Sequence, residues 1–180
     1  YDEAIQDQLK QGIIEKVSTE NDSTIKHYLP HHPVITPNKT TTKMRIVFDA
    51  SSKTKKTVNS LNDCLYRGPI NLPDLCGLLI DFRTNPIALI ADIEKAFLQI
   101  EIHPDDRDVT RFLWFLYPAK KSLDNNLQSY RFRRVTFGVI LIPFLLNATV
   151  QHHLNKSQAQ NAKQMSKKLY VDNLVTGTNT

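Results

Sequence analysis

The sequence predicts an α+β fold. Three observations carry that expectation. Short apolar runs at strand length occur at residues 44–48, 87–90 and 111–116. Apolar positions recur at helical spacing over residues 75–82 and 146–154. Gly, Pro and Asp residues punctuate the runs where turns and caps belong. At 180 residues the chain is one domain in size and long enough to bury an ordinary core.

Each element follows from its own residues. Residues 2–11 place Ile5 and Leu9 on one helical face, and Gly12 stands where a C-cap belongs. Residues 19–42 contain Pro30, Pro33 and Pro37, which leaves room only for short extended pieces. Residues 44–48 form a strand, followed by a polar, basic loop through Asn59. Asp74 caps a helix with Leu75, Leu78, Leu79 and Phe82 as its apolar stripe. The run 87–90 suits a strand covered on both faces. Residues 111–116 and 130–135 form two more strands, with 120–129 as their hairpin loop. In the second of these, Tyr130, Phe132 and Arg134 alternate with Arg131, Arg133 and Val135. Trp114 reads as a core or hairpin residue. Pro143 fits the first turn of a helix that carries Leu146, Val150 and Leu154 to the core. Residues 169–171 and 174–176 flank Asp172-Asn173, the pattern of a tight hairpin turning on that dipeptide.

Composition narrows the function classes. With 41% hydrophobic and 23% charged residues, the chain has the make-up of a globular protein rather than a disordered or collagenous one. The longest apolar stretch, 139–146, is interrupted by Pro143 and is far short of the roughly 20 residues that a membrane span needs. No charged-then-apolar leader opens the chain, and the first residue is Tyr1 rather than Met. Cys64 and Cys76 are too few for a zinc site and read as buried or half-buried free thiols. An intracellular setting, cytoplasmic or nuclear and not secreted, is the expectation. The formal net charge is +5, unevenly spread. Residues 39–56 hold six Lys or Arg against one acid, and residues 125–171 hold none of the acids but include Arg131, Arg133, Arg134, Lys156, Lys163, Lys167 and Lys168. Segregated positive charge is the footprint expected of phosphate-backbone binding, and equally of a solvated lysine-rich face.

Two acids stand at the ends of apolar runs: Asp92 after 87–91, and Asp172 after 169–171. Alone, Asp92 reads as a cap for the turn that follows it and Asp172 as a turn residue. Together, carboxylates at two strand ends can converge on a hard, oxygen-preferring cation. Their distance in sequence leaves that convergence to the fold. His152 and His153 fall on a helix as surface or core polar residues, and His31 and His32 lie between prolines with no role assigned.

The order of these blocks resembles a known family. Ala91-Asp92-Ile93-Glu94-Lys95-Ala96-Phe97, then Thr136-Phe137-Gly138, then Tyr170-Val171-Asp172-Asn173 look like motifs A, B and C of reverse transcriptases. Upstream, Lys43-Met44-Arg45-Ile46-Val47-Phe48-Asp49-Ala50-Ser51 is similar to the basic fingers strand that precedes motif A. Arg45 to Ser51 and Pro143-Phe144-Leu145-Leu146-Asn147-Ala148 look closest to the BEL/Pao group of long-terminal-repeat retrotransposons.

The resemblance implies a right-hand polymerase architecture: fingers over residues 1–85 and a partial palm over 86–180, with an antiparallel sheet and helices packed on one face. It implies two magnesium ions, with manganese as the alternative, held by Asp92, Asp172 and the main-chain carbonyl of Ile93. Asn173 would complete the catalytic set. Phe97, following Ala96, would be the steric gate beneath the sugar. Arg45, with Lys43 or Lys39, would clamp the triphosphate. Phe137 and Gly138 would border the nucleotide pocket, where glycine admits a close approach, and Tyr170 would pack beside the metal site. The implied partners are an RNA or DNA template-primer and a deoxynucleoside triphosphate, with protease and RNase H domains as neighbours in a longer polyprotein.

Three departures bear on activity. The family's third motif usually has two aspartates, whereas this chain has Asn173 in the second place, which brings no negative charge. Leu141-Ile142 stand before Pro143 where small polar residues are common, close to the expected template path. The chain stops shortly after motif C, so thumb and remaining palm are expected to be absent. The expectation is a polymerase fragment with weak or no activity by itself, the alternative being a degenerate, non-catalytic nucleic-acid-binding remnant. A small basic domain that binds protein partners is a further class.

Overall fold

In the computed structural model, residues 1–18, 25–38, 44–69, 72–120 and 124–178 are described. They form two units, each drawing on two stretches of chain: Tyr1–Leu65 with Glu101–Ile140, and Tyr66–Ile100 with Leu141–Thr180. The fold is mixed, with antiparallel sheets and helices, as predicted.

The first unit begins with helix α1 (Asp2–Lys10), which buries Ile5. Gly12, at φ +66, ends it. The Ile13 N–H donates to the Gln8 carbonyl and the Gly12 N–H to that of Leu9, at 2.9 and 3.1 Å, so the last carbonyls are satisfied in a left-handed cap. Strand β1 (Ile14–Lys16) then pairs antiparallel with β6 (Leu127–Phe132), which also pairs with β5 (Arg111–Phe115). A hairpin of β2 (His31–Ile35) and β3 (Met44–Phe48) sets Pro33 opposite Ile46. Short helix α2 (Leu61–Cys64) starts from a capping box between Ser60 and Asp63.

The unit's core is aromatic: Phe48, Phe112, Tyr130 and Phe132 are buried, and their rings meet edge-on, tilted or stacked at centroid distances of 4.8–5.6 Å. Tyr1 stacks on Trp114 at 4.5 Å, and the Trp114 Nε1–H donates to Asp2 Oδ1 at 2.9 Å. His31, to which the sequence assigned no role, lies beside these rings with its Nε2 at 3.0 Å from the Leu113 carbonyl and its Nδ1 bonded to the Tyr1 hydroxyl. Burial pushes that hydroxyl's pKa up to about 12.

In the second unit, α3 (Leu75–Arg83) is capped by Asp74, whose carboxylate accepts from the Cys76 and Gly77 N–H groups. Strand β4 (Ile87–Asp92) pairs antiparallel with β8 (Asn173–Thr178), and β8 with the short β7 (Leu169–Tyr170). Helices α4 (Ile142–Lys156, with Pro143 in its first turn) and α5 (Ala162–Lys168) complete the unit. Leu78, Ile142, Leu146, Ala162 and Leu169 form its buried core. Lys168 is ion-paired with Asp81, tying α5 to α3.

Several expectations are corrected. The 87–90 run is not covered on both faces: every residue of β4 is exposed, Leu89 by 49% and Ile90 by 70%. The reason is topological, since β4 is the edge of its sheet among the described residues, whereas α3 and α5 lie against β8 and α4 against residues 96–99. On α3 only Leu78 is buried, and Leu75 and Leu79 are exposed. The third strand covers Leu127–Phe132 rather than 130–135, so Leu127 to Ser129 belong to the ladder and not to the loop. The late hairpin turns on Val171-Asp172, because Asn173 already pairs with Tyr170. Cys64 and Cys76 are exposed free thiols. No helix among the described residues is long and apolar enough to cross a membrane.

Candidate active site

Asp92 is the last residue of β4 and Asn173 the first of β8, and the antiparallel register sets them opposite each other. One step further, the Ile93 N–H donates to the Asp172 carbonyl at 3.0 Å. Two acids remote in sequence therefore emerge at the same end of one sheet, Asp92 from the end of β4 and Asp172 from the turn that leads into its neighbour β8. Asp92 is exposed and Asp172 half-buried. The Asn173 Nδ2–H donates to Asp172 Oδ1 at 2.8 Å.

The backbone around these acids is unusual. Val171 has φ +58 and Lys95 has φ +51, both left-handed, and for β-branched Val171 that conformation is a strained outlier. Strain of this kind persists only where its surroundings over-determine it. Here the hairpin supplies that constraint, because Tyr170 and Asn173 are paired on either side of Val171-Asp172. Beyond Asp92 the chain enters a 3₁₀ turn (Ala96–Gln99), in which Ala96 is buried and Phe97 half-buried.

Oxygen is the donor type this corner offers: the Asp92 carboxylate, the second oxygen of Asp172, and the Ile93 carbonyl. That carbonyl accepts one bond, from the Ala96 N–H at 3.2 Å, and a carbonyl oxygen has two lone pairs. Such a set fits a hard divalent cation that keeps several waters. Among the described residues no group of three or more His, Cys, Asp or Glu side chains gathers, so there is no closed cage of the zinc type.

The remaining candidates belong to the first unit. Arg45 lies on β3 opposite Val34; it is exposed and has no ion-pair partner among the described residues. Lys43 and Lys39 lie outside the described residues. Phe137 is exposed by 61%. Gly138 has φ +95, and a Cβ there would stand 2.6 Å from the Phe48 carbonyl oxygen, so no other residue fits without movement.

That close approach is held by a residue the sequence reading missed. Asn62 donates to the Gly138 carbonyl at 2.9 Å and to Ser51 Oγ at 2.8 Å, and its Oδ1 accepts from the Ile140 N–H at 2.9 Å. One side chain thus fastens the turn after Phe137 to the loop that follows β3. Next to it, Lys53 lies 2.6 Å from Asp63 Oδ2 and, together with the Ser60 N–H and hydroxyl, holds the Asp63 carboxyl down to about 2.

Part of the basic character is internal. Arg131 pairs with Glu15 at 2.6 Å and Asp108 at 2.9 Å; Arg107 pairs with Glu101 at 2.9 Å and Glu15 at 3.3 Å; Arg111 Nε bonds Asp108 at 2.9 Å. Arg133 joins through Glu101 at 3.4 Å. Arg131 and Arg133, counted from sequence toward a phosphate-binding face, serve to hold β1, β6 and residues 101–111 together. Likewise Ile142 is buried and packs in the core of its unit.

A family profile described as reverse transcriptase (RNA-dependent DNA polymerase) matches residues 36–180. The chain belongs to the reverse transcriptase family. Solved structures agree on the fold. A foamy viral protease-reverse transcriptase, the dRH form in complex with double-stranded DNA, aligns with a TM-score of 0.68 at 21% identity, over 99% of this chain and 25% of that one. The foamy viral enzyme in complex with an RNA/DNA hybrid gives 0.68 at 22% identity, over 99% and 19%. The native Prototype Foamy Virus protein gives 0.63 at 20% identity, over 99% and 19%. This reverse transcriptase chain therefore spans 19–25% of the length of those relatives. A search of curated protein sequences gives no match.

Proposed function

We propose that this reverse transcriptase chain carries the fingers and part of the palm of an RNA-directed DNA polymerase from a BEL/Pao-type retrotransposon. On this reading, Asp92, Asp172 and the Ile93 carbonyl bind divalent ions, magnesium or manganese. When bound, such ions stabilise the attacking and leaving oxygens of phosphoryl transfer. The reaction is attack of a primer 3′-hydroxyl on the α-phosphate of a deoxynucleoside triphosphate. The new O3′–Pα bond forms as the Pα–O bond to the β-phosphate breaks; the hydroxyl proton passes to water and pyrophosphate leaves. The single observation that supports the proposal is that the β4–β8 register brings the backbones of Asp92 and Asp172 to one end of the sheet.

The chain's own residues then divide the remaining work. Arg45, with Lys43, neutralises the triphosphate. Phe97 excludes a 2′-hydroxyl by bulk, with Ala96 as the small buried residue beside it. Phe137 and Gly138 border the base, and Asn62 holds that turn in place. Template-primer is the proposed macromolecular partner, in keeping with the DNA and hybrid ligands named for the foamy viral proteins. Protease and RNase H neighbours belong to the proposed parent polyprotein.

Asn173, which withholds a charge from the site, favours the second reading, a nucleic-acid-binding remnant. Manganese binding followed by electron paramagnetic resonance separates the two. The polymerase reading expects binding that is lost in both Asp92→Ala and Asp172→Ala, together with primer extension, however slow, that falls at least about 100-fold in either variant. Template-primer binding indifferent to the divalent ion, with no site dependent on both acids, would leave the remnant standing instead.

A further inference from the structure

We propose that Asn173 is a positioning residue: its amide fixes the Asp172 carboxylate before any cation arrives, leaving one carboxylate oxygen engaged and the other free to ligate. This rests on the reading of Asp92 and Asp172 as a cation site. The geometry is direct. Asn173 is paired across the sheet with both Tyr170 on β7 and Asp92 on β4. Its Nδ2 lies 2.8 Å from Asp172 Oδ1. An ionised carboxylate only accepts, so the amide must present its NH₂ group there, and its orientation is thereby fixed.

The alternative at this position is a second acid, and its cost follows from the same register. A carboxylate at 173 would stand cross-strand from Asp92, where like charges repel, and next in sequence to Asp172. Three acids would then crowd one corner until a cation bound. With Asn173 the corner carries two charges, and a repulsion is replaced by a charge-assisted hydrogen bond. The turn gains a second restraint at the place where Val171 is strained at φ +58. The trade is a weaker pull on the cation in return for a site already ordered without it.

Three variants of the full chain test this, read by manganese affinity and by the melting temperature of the cation-free protein. Asn173→Asp is expected to bind manganese more tightly, because affinity rises with ligand charge, but to melt at a lower temperature when cation-free. Asn173→Ala is expected to lose manganese affinity by about three- to tenfold, the loss of one modest hydrogen bond. Asn173→Ser, which keeps a short donor, is expected to recover part of it. In the cation-free chain, the Asn173 side-chain amide signals in a ¹⁵N spectrum should shift on Asp172→Asn. Cation binding that depends on both acids yet is unchanged in Asn173→Ala would overturn the positioning role alone. Wild-type manganese binding in both Asp92→Asn and Asp172→Asn would overturn the cation site, and the positioning role with it.

Discussion

Gly138 is held within 2.6 Å of a carbonyl oxygen, counting from where a Cβ would be, at a φ of +95 that side-chain-bearing residues avoid. Both constraints act against the same substitution. Gly138→Ala should therefore cost about 1–3 kcal/mol in urea unfolding, the range for a forced backbone conformation. A change within about 0.5 kcal/mol, the scatter of an ordinary surface substitution, would mean the loop adjusts freely. The glycine was singled out from its Phe-Gly block as a place where a nucleotide could come close, not for the Phe48 carbonyl that the fold brings against it. Asn62, which pins the same turn, was not singled out. Its bonds reach Ser51, Gly138 and Ile140, and nothing at position 62 announces partners so distant. The acids fall between these cases. Their positions at strand ends were readable, whereas the Val171-Asp172 turn was not. A left-handed valine contradicts local preference, and only the pairing of β7 with β8 imposes it.

Strand β5 and the second half of β6 were legible in the sequence, yet the significance of their charges was not, because the acids that answer them lie elsewhere in the chain. Asp108 is the clearest case. Its side chain is 5% exposed and takes hydrogen bonds from Arg111 and from Arg131, itself 15% exposed. Burying two guanidinium groups is tolerated only while the carboxylate remains. Replacing it with an amide of the same shape leaves Arg111 facing a neutral group and Arg131 with Glu15 alone, and converts one acceptor oxygen into a donor. Asp108→Asn is expected to cost about 3–5 kcal/mol, the penalty for breaking a buried pair from one side. Chemical denaturation followed by tryptophan fluorescence at Trp114 on β5 reads it directly. A loss below about 1 kcal/mol would place the cluster with solvent-screened surface pairs instead.

The fold class was legible because period and punctuation determine elements, but burial depends on which elements meet. An apolar run such as 87–90 looks the same whether a layer lies over it or not. Here it stays uncovered, while the aromatic strands of the first unit are sealed. Local stability should follow that contrast, since opening free energies are lowest where apolar cover is least. β6 is the central strand of its sheet and buries Tyr130 and Phe132, each 1% exposed. Among the described residues β4 is hydrogen-bonded along one side, to β8, with every residue exposed. Its amides can open by local fraying, whereas those of β6 require the aromatic core to come apart. In hydrogen–deuterium exchange at neutral pH, the amides of β6 should exchange more slowly than those of β4 by more than about tenfold. The corner that presents Asp92 would then lie on the more labile of the two sheets, and a bound divalent cation should slow exchange at β4 and the 169–174 hairpin without altering β6. Equal protection of β4 and β6 in the cation-free chain would show that the exposed apolar strand is stabilised by something other than its own packing.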